Sequence, residues 1–172
     1  CNFLNKSGNK NKIVFASSTQ MTNKSDYGKS KKLCEKILLN HSKKNKSKVC
    51  IFRLPNIFGK WSKPNYNSVV STFCNNIARN KKIFISDPKK KINLVYVDDV
   101  IDNFIQIINK NLYKSKIFQK VTPVKNISLK NLFITISNIE KSRNKYFIND
   151  LKDPFEKKLY STFISFLPKN KF

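Results

Sequence analysis

The chain has 172 residues, 40% of them hydrophobic, and carries 35 Lys and Arg against 10 Asp and Glu, a formal net charge of +25. That length buries one sizeable core; no apolar run is long enough to span a bilayer, so no membrane association is expected, and the first residue is Cys1 rather than Met, as expected of a soluble piece of something longer. Arg occurs only at Arg53, Arg79 and Arg143, and the many Lys are spread along the chain with Asn and Ile, so the charge reads as compositional and predicts weak, salt-sensitive attraction to polyanions rather than a specific nucleic-acid partner.

Cys1, Cys34, Cys50 and Cys74 show no C-x-x-C spacing, and His41 is the one histidine. A structural zinc site and a Cys-His catalytic pair are therefore not expected. Cys34, Cys50 and Cys74 fall in apolar patterns and read as small core residues of a reduced, cytoplasmic protein.

Residues 1–11 read as the frayed end of a helix and a polar loop around Gly8. The apolar run Ile13-Val14-Phe15-Ala16 predicts a short buried strand, and Ser17, Ser18 and Thr19 follow it. A helix is predicted from about Tyr27 to His41, with Leu33, Ile37 and Leu38 on one side and Lys32, Lys36 and Lys43 outward, before a solvated linker from Ser42 to Lys48. Tyr27 and Lys31, four apart, then project from one face. An ammonium beside a phenol favours the phenolate, so the phenol can pass a proton near neutral pH. Ser18 or Thr19, at the strand end, is placed to hold the oxygen that receives it. In so Lys-rich a chain the spacing alone carries little; its position at a helix start, after a strand ending in hydroxyls, carries the acid/base reading.

Val49-Cys50-Ile51-Phe52 is continuous rather than alternating, as expected of a strand buried on both faces of a parallel sheet. Strand, helix and strand make a crossover unit, and ligands of such sheets bind beyond the carboxyl ends of the strands, near Ser18 and Asn56. Arg53 reads as structural, pairing with Asp98 or Asp99. Lys60 to Tyr66 is a polar and aromatic loop in which Trp61 and Tyr66 serve as a pocket wall or as loop packing. A helix follows over Ser68 to Asn80, then short strands at Ile83-Phe84-Ile85 and Leu94-Val95-Tyr96, joined by the Asp87-Pro88 turn and a solvated Lys89-Lys90-Lys91 run. Asp98-Asp99 opens a helix containing Ile101, Phe104, Ile105 and Ile108, its first-turn carboxylates offsetting the helix dipole. Ile117 to Val121 reads as a strand, Ser128 as the N-cap of a helix with Leu129, Leu132, Phe133 and Ile136, and Phe155 to Leu167 as a last helix stopped by Pro168.

Four segments, Phe15-Ala16-Ser17-Ser18-Thr19, Tyr27-Gly28-Lys29-Ser30-Lys31, Arg53-Leu54-Pro55-Asn56-Ile57-Phe58-Gly59 and Val95-Tyr96-Val97-Asp98-Asp99-Val100, resemble in content and order the extended short-chain dehydrogenase/reductase family, the NAD-dependent epimerase/dehydratase group acting on nucleotide sugars. Residues 59–70 and Leu159-Tyr160-Ser161-Thr162-Phe163 are similar to the reductase domains of bifunctional capsular-polysaccharide enzymes within it. The resemblance covers nearly the whole chain. It implies an α/β fold: part of a Rossmann-type parallel sheet, its C-terminal half, with a small α/β substrate-binding lobe. Residues 1–59 would be the core part and 60–172 mostly the lobe, with a returning strand and helices.

The resemblance also implies NADP(H) or NAD(H), with NADPH preferred, and reduction of the 4-keto group of a UDP-2-acetamido-2,6-dideoxy-hexos-4-ulose in surface polysaccharide synthesis. Tyr27 would donate the proton, Lys31 would support it and hold the nicotinamide ribose, and Ser18 would bond the reacting oxygen. Ser17, Tyr27, Lys31 and Pro55 would meet the cofactor; Thr19, Asn56, Asn65, Asn67, Ser68 and Val69 would meet the UDP-sugar. The three glycines, Gly8, Gly28 and Gly59, do not form the family's Gly-x-x-Gly-x-x-Gly phosphate loop, so the expected partner is a missing N-terminal cofactor-binding half, with a homodimer for the full-length enzyme. The competing expectations are a non-catalytic remnant and a basic polyanion-binding protein. Without its neighbours the sheet is expected to expose an edge and an apolar face, giving low solubility, marginal stability or association with the missing half.

Overall fold

The computed structural model describes residues 12–109, 117–144 and 152–169; the expectations for residues 1–11 lie outside the described residues. In chain order the elements are β1 (Ile13–Ser18), a 3-10 turn (Thr19–Thr22), α1 (Asp26–Asn45), β2 (Val49–Leu54), β3 (Asn56–Phe58), α2 (Val69–Ala78), β4 (Lys91–Tyr96), α3 (Val97–Asn109), β5 (Phe118–Gln119), β6 (Lys125–Ser128), α4 (Leu129–Asn144) and α5 (Pro154–Ile164). The chain forms two compact units, residues 1–55 with 99–123, and residues 56–98 with 124–172.

In the first unit, β1, β2 and β5 form a parallel sheet in that order. Two parallel strands need a crossover between them, and α1 supplies it. Val49, Cys50, Ile51 and Phe52 are all buried, as the unbroken apolar run of a central strand demands. The Phe52 ring lies 4.8 Å from that of Phe104 on α3. Helix α1 starts where Ser25 accepts the Gly28 N–H at 3.1 Å and ends at Asn45, four residues past the expected His41, where Lys46 turns left-handed. Leu33 and Ile37 are exposed, contrary to the expected apolar side, and so is Cys34. The side chains α1 buries are those of Glu35 and His41. Leu33 and Ile37 are each two residues from Glu35, about 200° around the helix, so burying Glu35 turns them outward. Ile101, Ile105 and Ile108 of α3 are also exposed, while Val100 and Ile107 are buried.

In the second unit, β3 runs parallel to β4, and β4 antiparallel to β6. The core gathers Phe58, Leu94 and Tyr96 from the strands with Val70, Phe73, Cys74, Leu132, Ile136, Leu159 and Phe163 from α2, α4 and α5. Ser68 caps α2, accepting the Ser71 N–H at 3.3 Å, and Ser128 caps α4 as expected, accepting the Asn131 N–H at 3.2 Å. Asp153 caps α5, which ends at Ile164, short of the expected Leu167. Ile83-Phe84-Ile85 is not a strand. Ile83 and Ile85 pack against the core and Phe84 is 90% exposed, so the in-out alternation is present, but no neighbouring strand among the described residues supplies the ladder that would make it β-structure. The lysine run at 89–91 is exposed as expected, its first two N–H groups donating to Asp87 Oδ1 at 3.0 and 3.2 Å.

Candidate active site

The end of β1 turns sharply. Ser18 Oγ accepts the Gln20 N–H at 3.1 Å and so caps the 3-10 turn. The turn closes with Asn23 N–H donating to Gln20 O at 2.9 Å, and it lies directly on the first turn of α1 at Gly28. A Cβ on Gly28 would stand 2.5 Å from Asn23 O and 2.7 Å from Gln20 O. Only a residue without a side chain lets the two backbones approach so closely. Ser18 and Thr19 are thereby held against the helix start that carries Tyr27.

Tyr27, next to Gly28, is 51% exposed. One turn further, Lys31 Nζ lies 5.6 Å from the Tyr27 ring centroid and 5.2 Å from that of Phe15, and donates to Ala16 O at 3.0 Å. The aromatic faces attract the cation and the carbonyl fixes it. An ammonium has three N–H groups, so a single bond to Ala16 leaves donors for a further acceptor. Thr19 is exposed, with its carbonyl accepting from Thr22 Oγ1 at 3.4 Å. Pro55, half-buried, follows β2.

Ser17 is placed differently. Its side chain is buried and donates to Glu35 Oε1 at 2.6 Å. Arg53 joins the same carboxylate, with Nη2 2.7 Å from Oε2; the expected partner, Asp98 or Asp99, is not the one it takes. Asp98 and Asp99 instead occupy the first turn of α3. Burial pushes the Glu35 carboxyl up, but the Arg53 and Ser17 hydrogen bonds and the Arg53 charge outweigh it and hold the group below its ordinary value. Sequence reasoning missed Glu35; the signal was its spacing, four residues beyond Lys31 as Lys31 is four beyond Tyr27.

The remaining expected residues belong to the second unit. Asn56 begins β3 and donates through Nδ2 to Asn93 O at 3.3 Å. Asn65 has a left-handed backbone (φ 54°) and its N–H donates to Thr72 Oγ1 at 3.0 Å. Asn67 is exposed, Ser68 is the α2 cap, and Val69 packs against the core. Trp61 and Tyr66 are 82% and 71% exposed, so loop packing does not account for them. Lys60 and Lys63 stand over their respective rings, at 5.9 and 5.4 Å from the centroids.

The profile of the family described as NAD dependent epimerase/dehydratase matches residues 6–119. A Pseudomonas aeruginosa protein named UDP-2-acetamido-2,6-beta-L-arabino-hexul-4-ose reductase is 37% identical over all 172 residues, which cover 46% of its length. The crystal structure of the capsular polysaccharide assembling protein CapF from Staphylococcus aureus superposes with a TM-score of 0.89 at 36% identity, over 98% of this chain and 47% of that one. UDP-glucose 4-epimerase from Thermotoga maritima, 18% identical with a TM-score of 0.74 over 96% of this chain and 66% of that one, shares the fold. The chain spans about half the length of the curated relative it matches.

Proposed function

The chain belongs to the NAD dependent epimerase/dehydratase family, and on that footing we propose that it is the proton-donating part of a nicotinamide-dependent reductase that converts the 4-keto group of a UDP-2-acetamido-2,6-dideoxy-hexos-4-ulose to an alcohol during synthesis of a capsular or other surface polysaccharide. The observation that carries the proposal is the lysine ammonium beside the half-exposed phenol, fastened to the strand that ends in Ser18. The substrate class follows from the activity named for the 37% identical relative.

A reduced nicotinamide, when bound, supplies the hydride that goes to the keto carbon. The donor set fits its ribose: Lys31 offers N–H groups beyond the one bonded to Ala16, and Tyr27 stands one turn away. Tyr27 gives its phenolic proton to the keto oxygen as the carbonyl becomes an alcohol. Lys31, its ammonium 5.6 Å from the Tyr27 ring centroid, is the cation beside the proton donor. Ser18 Oγ accepts the Gln20 N–H, which leaves its own O–H to donate to the reacting oxygen; Thr19 is the second candidate. Ser17, its hydroxyl bonded to Glu35, contributes to the cofactor side through its backbone, with Pro55. Thr19, Asn56, Asn65, Asn67, Ser68 and Val69 are assigned to the UDP-sugar, NADPH is the preferred cofactor, and a glycine-loop half completes the cofactor site.

The test is NADPH oxidation with a UDP-linked 4-keto-6-deoxy sugar by this chain together with its cofactor-binding half. Turnover is expected, falling about 10²- to 10⁴-fold in Tyr27→Phe. A soluble, NADPH-binding assembly without turnover would overturn the proposal in favour of a non-catalytic binding piece.

A further inference from the structure

Glu35 takes no part in the proton transfer just described, yet it is 3% exposed and charged. Ser17 Oγ reaches it from β1 at 2.6 Å; from β2, Arg53 Nε donates to Oε1 at 3.1 Å and Oε2 at 3.3 Å, and Nη2 to Oε2 at 2.7 Å. Ser17 and Arg53 are register partners on adjacent strands. The Arg53 guanidinium also lies 4.3 Å from the Phe118 ring centroid on β5. One carboxylate thus ties α1 to the strand ends.

A buried ion pair is poor evidence of a stability role, because well-packed apolar residues commonly serve as well or better. What a guanidinium fork on a carboxylate supplies is fixed geometry. Here the geometry bears on the proposed proton donor. Tyr27, Lys31 and Glu35 form one stripe along α1, each four residues from the last. Lys31 binds the carbonyl of Ala16 and Glu35 the hydroxyl of the very next residue, Ser17. These two successive rungs leave α1 a single position along β1.

We propose, building on the reading of Tyr27 as proton donor, that Glu35 is a positioning residue: through Ser17 and Arg53 it sets where Tyr27 and Lys31 stand relative to Ser18 at the end of β1. The contribution is to turnover rather than to substrate affinity, since the groups assigned to the UDP-sugar lie mostly in the other unit.

Two variants test it. Glu35→Gln keeps the shape and removes the charge; Arg53→Lys keeps the charge, removes the fork, and changes a partly exposed side chain that folding tolerates better. In the assembly with the cofactor-binding half, both are expected to lower kcat per folded molecule by about tenfold or more, with KM for the UDP-sugar within about twofold. In the 172-residue chain alone, hydrogen exchange of amides in 26–36 is expected to quicken about tenfold in both variants, with 129–143 of the second unit unchanged. Unaltered kcat per folded molecule in both variants overturns the proposal, as does exchange that is unchanged or rises equally in the two helices. Should the wild-type assembly show no reductase turnover, the function proposed above falls, and the exchange comparison still decides whether Glu35 fixes the helix.

Discussion

Replacing Gly28 by alanine sets two physical effects against each other. Gly28 lies in the first turns of α1, where alanine is the better helix former by about 1 kcal/mol, so propensity alone predicts a more stable protein. The added Cβ, however, would meet two backbone carbonyl oxygens, at 2.5 Å from Asn23 and 2.7 Å from Gln20, where no contact under 3.0 Å is sustainable. The 3-10 turn would have to withdraw by at least about 0.5 Å, and overpacking of this kind costs about 1–3 kcal/mol, leaving a net loss of about 0–2 kcal/mol. The turn that withdraws is the one Ser18 caps. A displacement of about 0.5 Å is at the tolerance of a working site, so the larger effect is on chemistry: turnover of the assembly is expected to fall about tenfold or more, beyond what the small loss of folded protein explains. Urea unfolding and kcat, measured on the same preparation, separate the two. A Gly28→Ala protein stabilised by about 1 kcal/mol with undiminished turnover would refute the argument that backbone contact at Gly28 positions Ser18.

Gly59 allows a matched test with a built-in rescue. Its added Cβ would sit 2.6 Å from Val97 Cγ1, so Gly59→Ala is expected to lower stability by about 1–3 kcal/mol and Val97→Ala to restore part of the loss; no rescue in urea unfolding would mean the contact is not the cause. Burial pushes the Cys50 thiol up to about 11 and the Cys74 thiol higher still, whereas Cys34 is exposed. Alkylation of the folded protein near neutral pH, mapped by peptide mass, is therefore expected at Cys34 before Cys50 or Cys74, and early modification of Cys74 would contradict its burial. The Glu35 carboxyl is held below its ordinary value of 4.5 in the folded protein. A depressed carboxylate contributes stability that is fully present above the unfolded value and lost as pH falls through the folded one, so the urea midpoint is expected to decline below about pH 4.5, and to decline less in Glu35→Gln; parallel acid limbs would remove Glu35 as a cause.

The parts of this structure that were legible in the sequence are those decided within one element. The unbroken run at Val49 to Phe52 announced a strand buried on both faces, and Ser128 followed by Leu129, Leu132 and Ile136 announced a capped helix. Tyr27 and Lys31 were legible as a pair because a helix brings residues four apart together whatever surrounds it. What escaped was set between elements. Nothing local distinguishes Glu35 from Asp98 or Asp99 as the partner of Arg53; the parallel register of β1 on β2, which sets Ser17 opposite Arg53 under α1, makes the choice. That choice then turns Leu33 and Ile37 outward, so an error about one ion pair became an error about which face of α1 is buried. Ile83 to Ile85 failed for the converse reason: the alternation is local, but strandhood requires a neighbour.

The two units differ in how far they support themselves, and the difference falls on the proposed chemistry. The second unit closes a core of Phe58, Val70, Phe73, Leu94, Leu132, Ile136, Leu159 and Phe163 between strands and three helices. In the first, β1 pairs with β2 on one side and has no second strand neighbour among the described residues, while Leu33, Ile37, Ile101, Ile105 and Ile108 face outward from its helices. An edge strand and exposed apolar helix faces are where local opening begins and where another chain adds. Ser18 ends that edge strand, and Tyr27 and Lys31 stand on the helix fastened to it, so the residues proposed for proton transfer sit in the less self-sufficient unit. Adding the proposed cofactor-binding half should therefore slow hydrogen exchange in β1 and α1 by more than in α4, the helix of the enclosed core. Equal slowing throughout, or none in β1, would mean that the open edge is not where the other half docks.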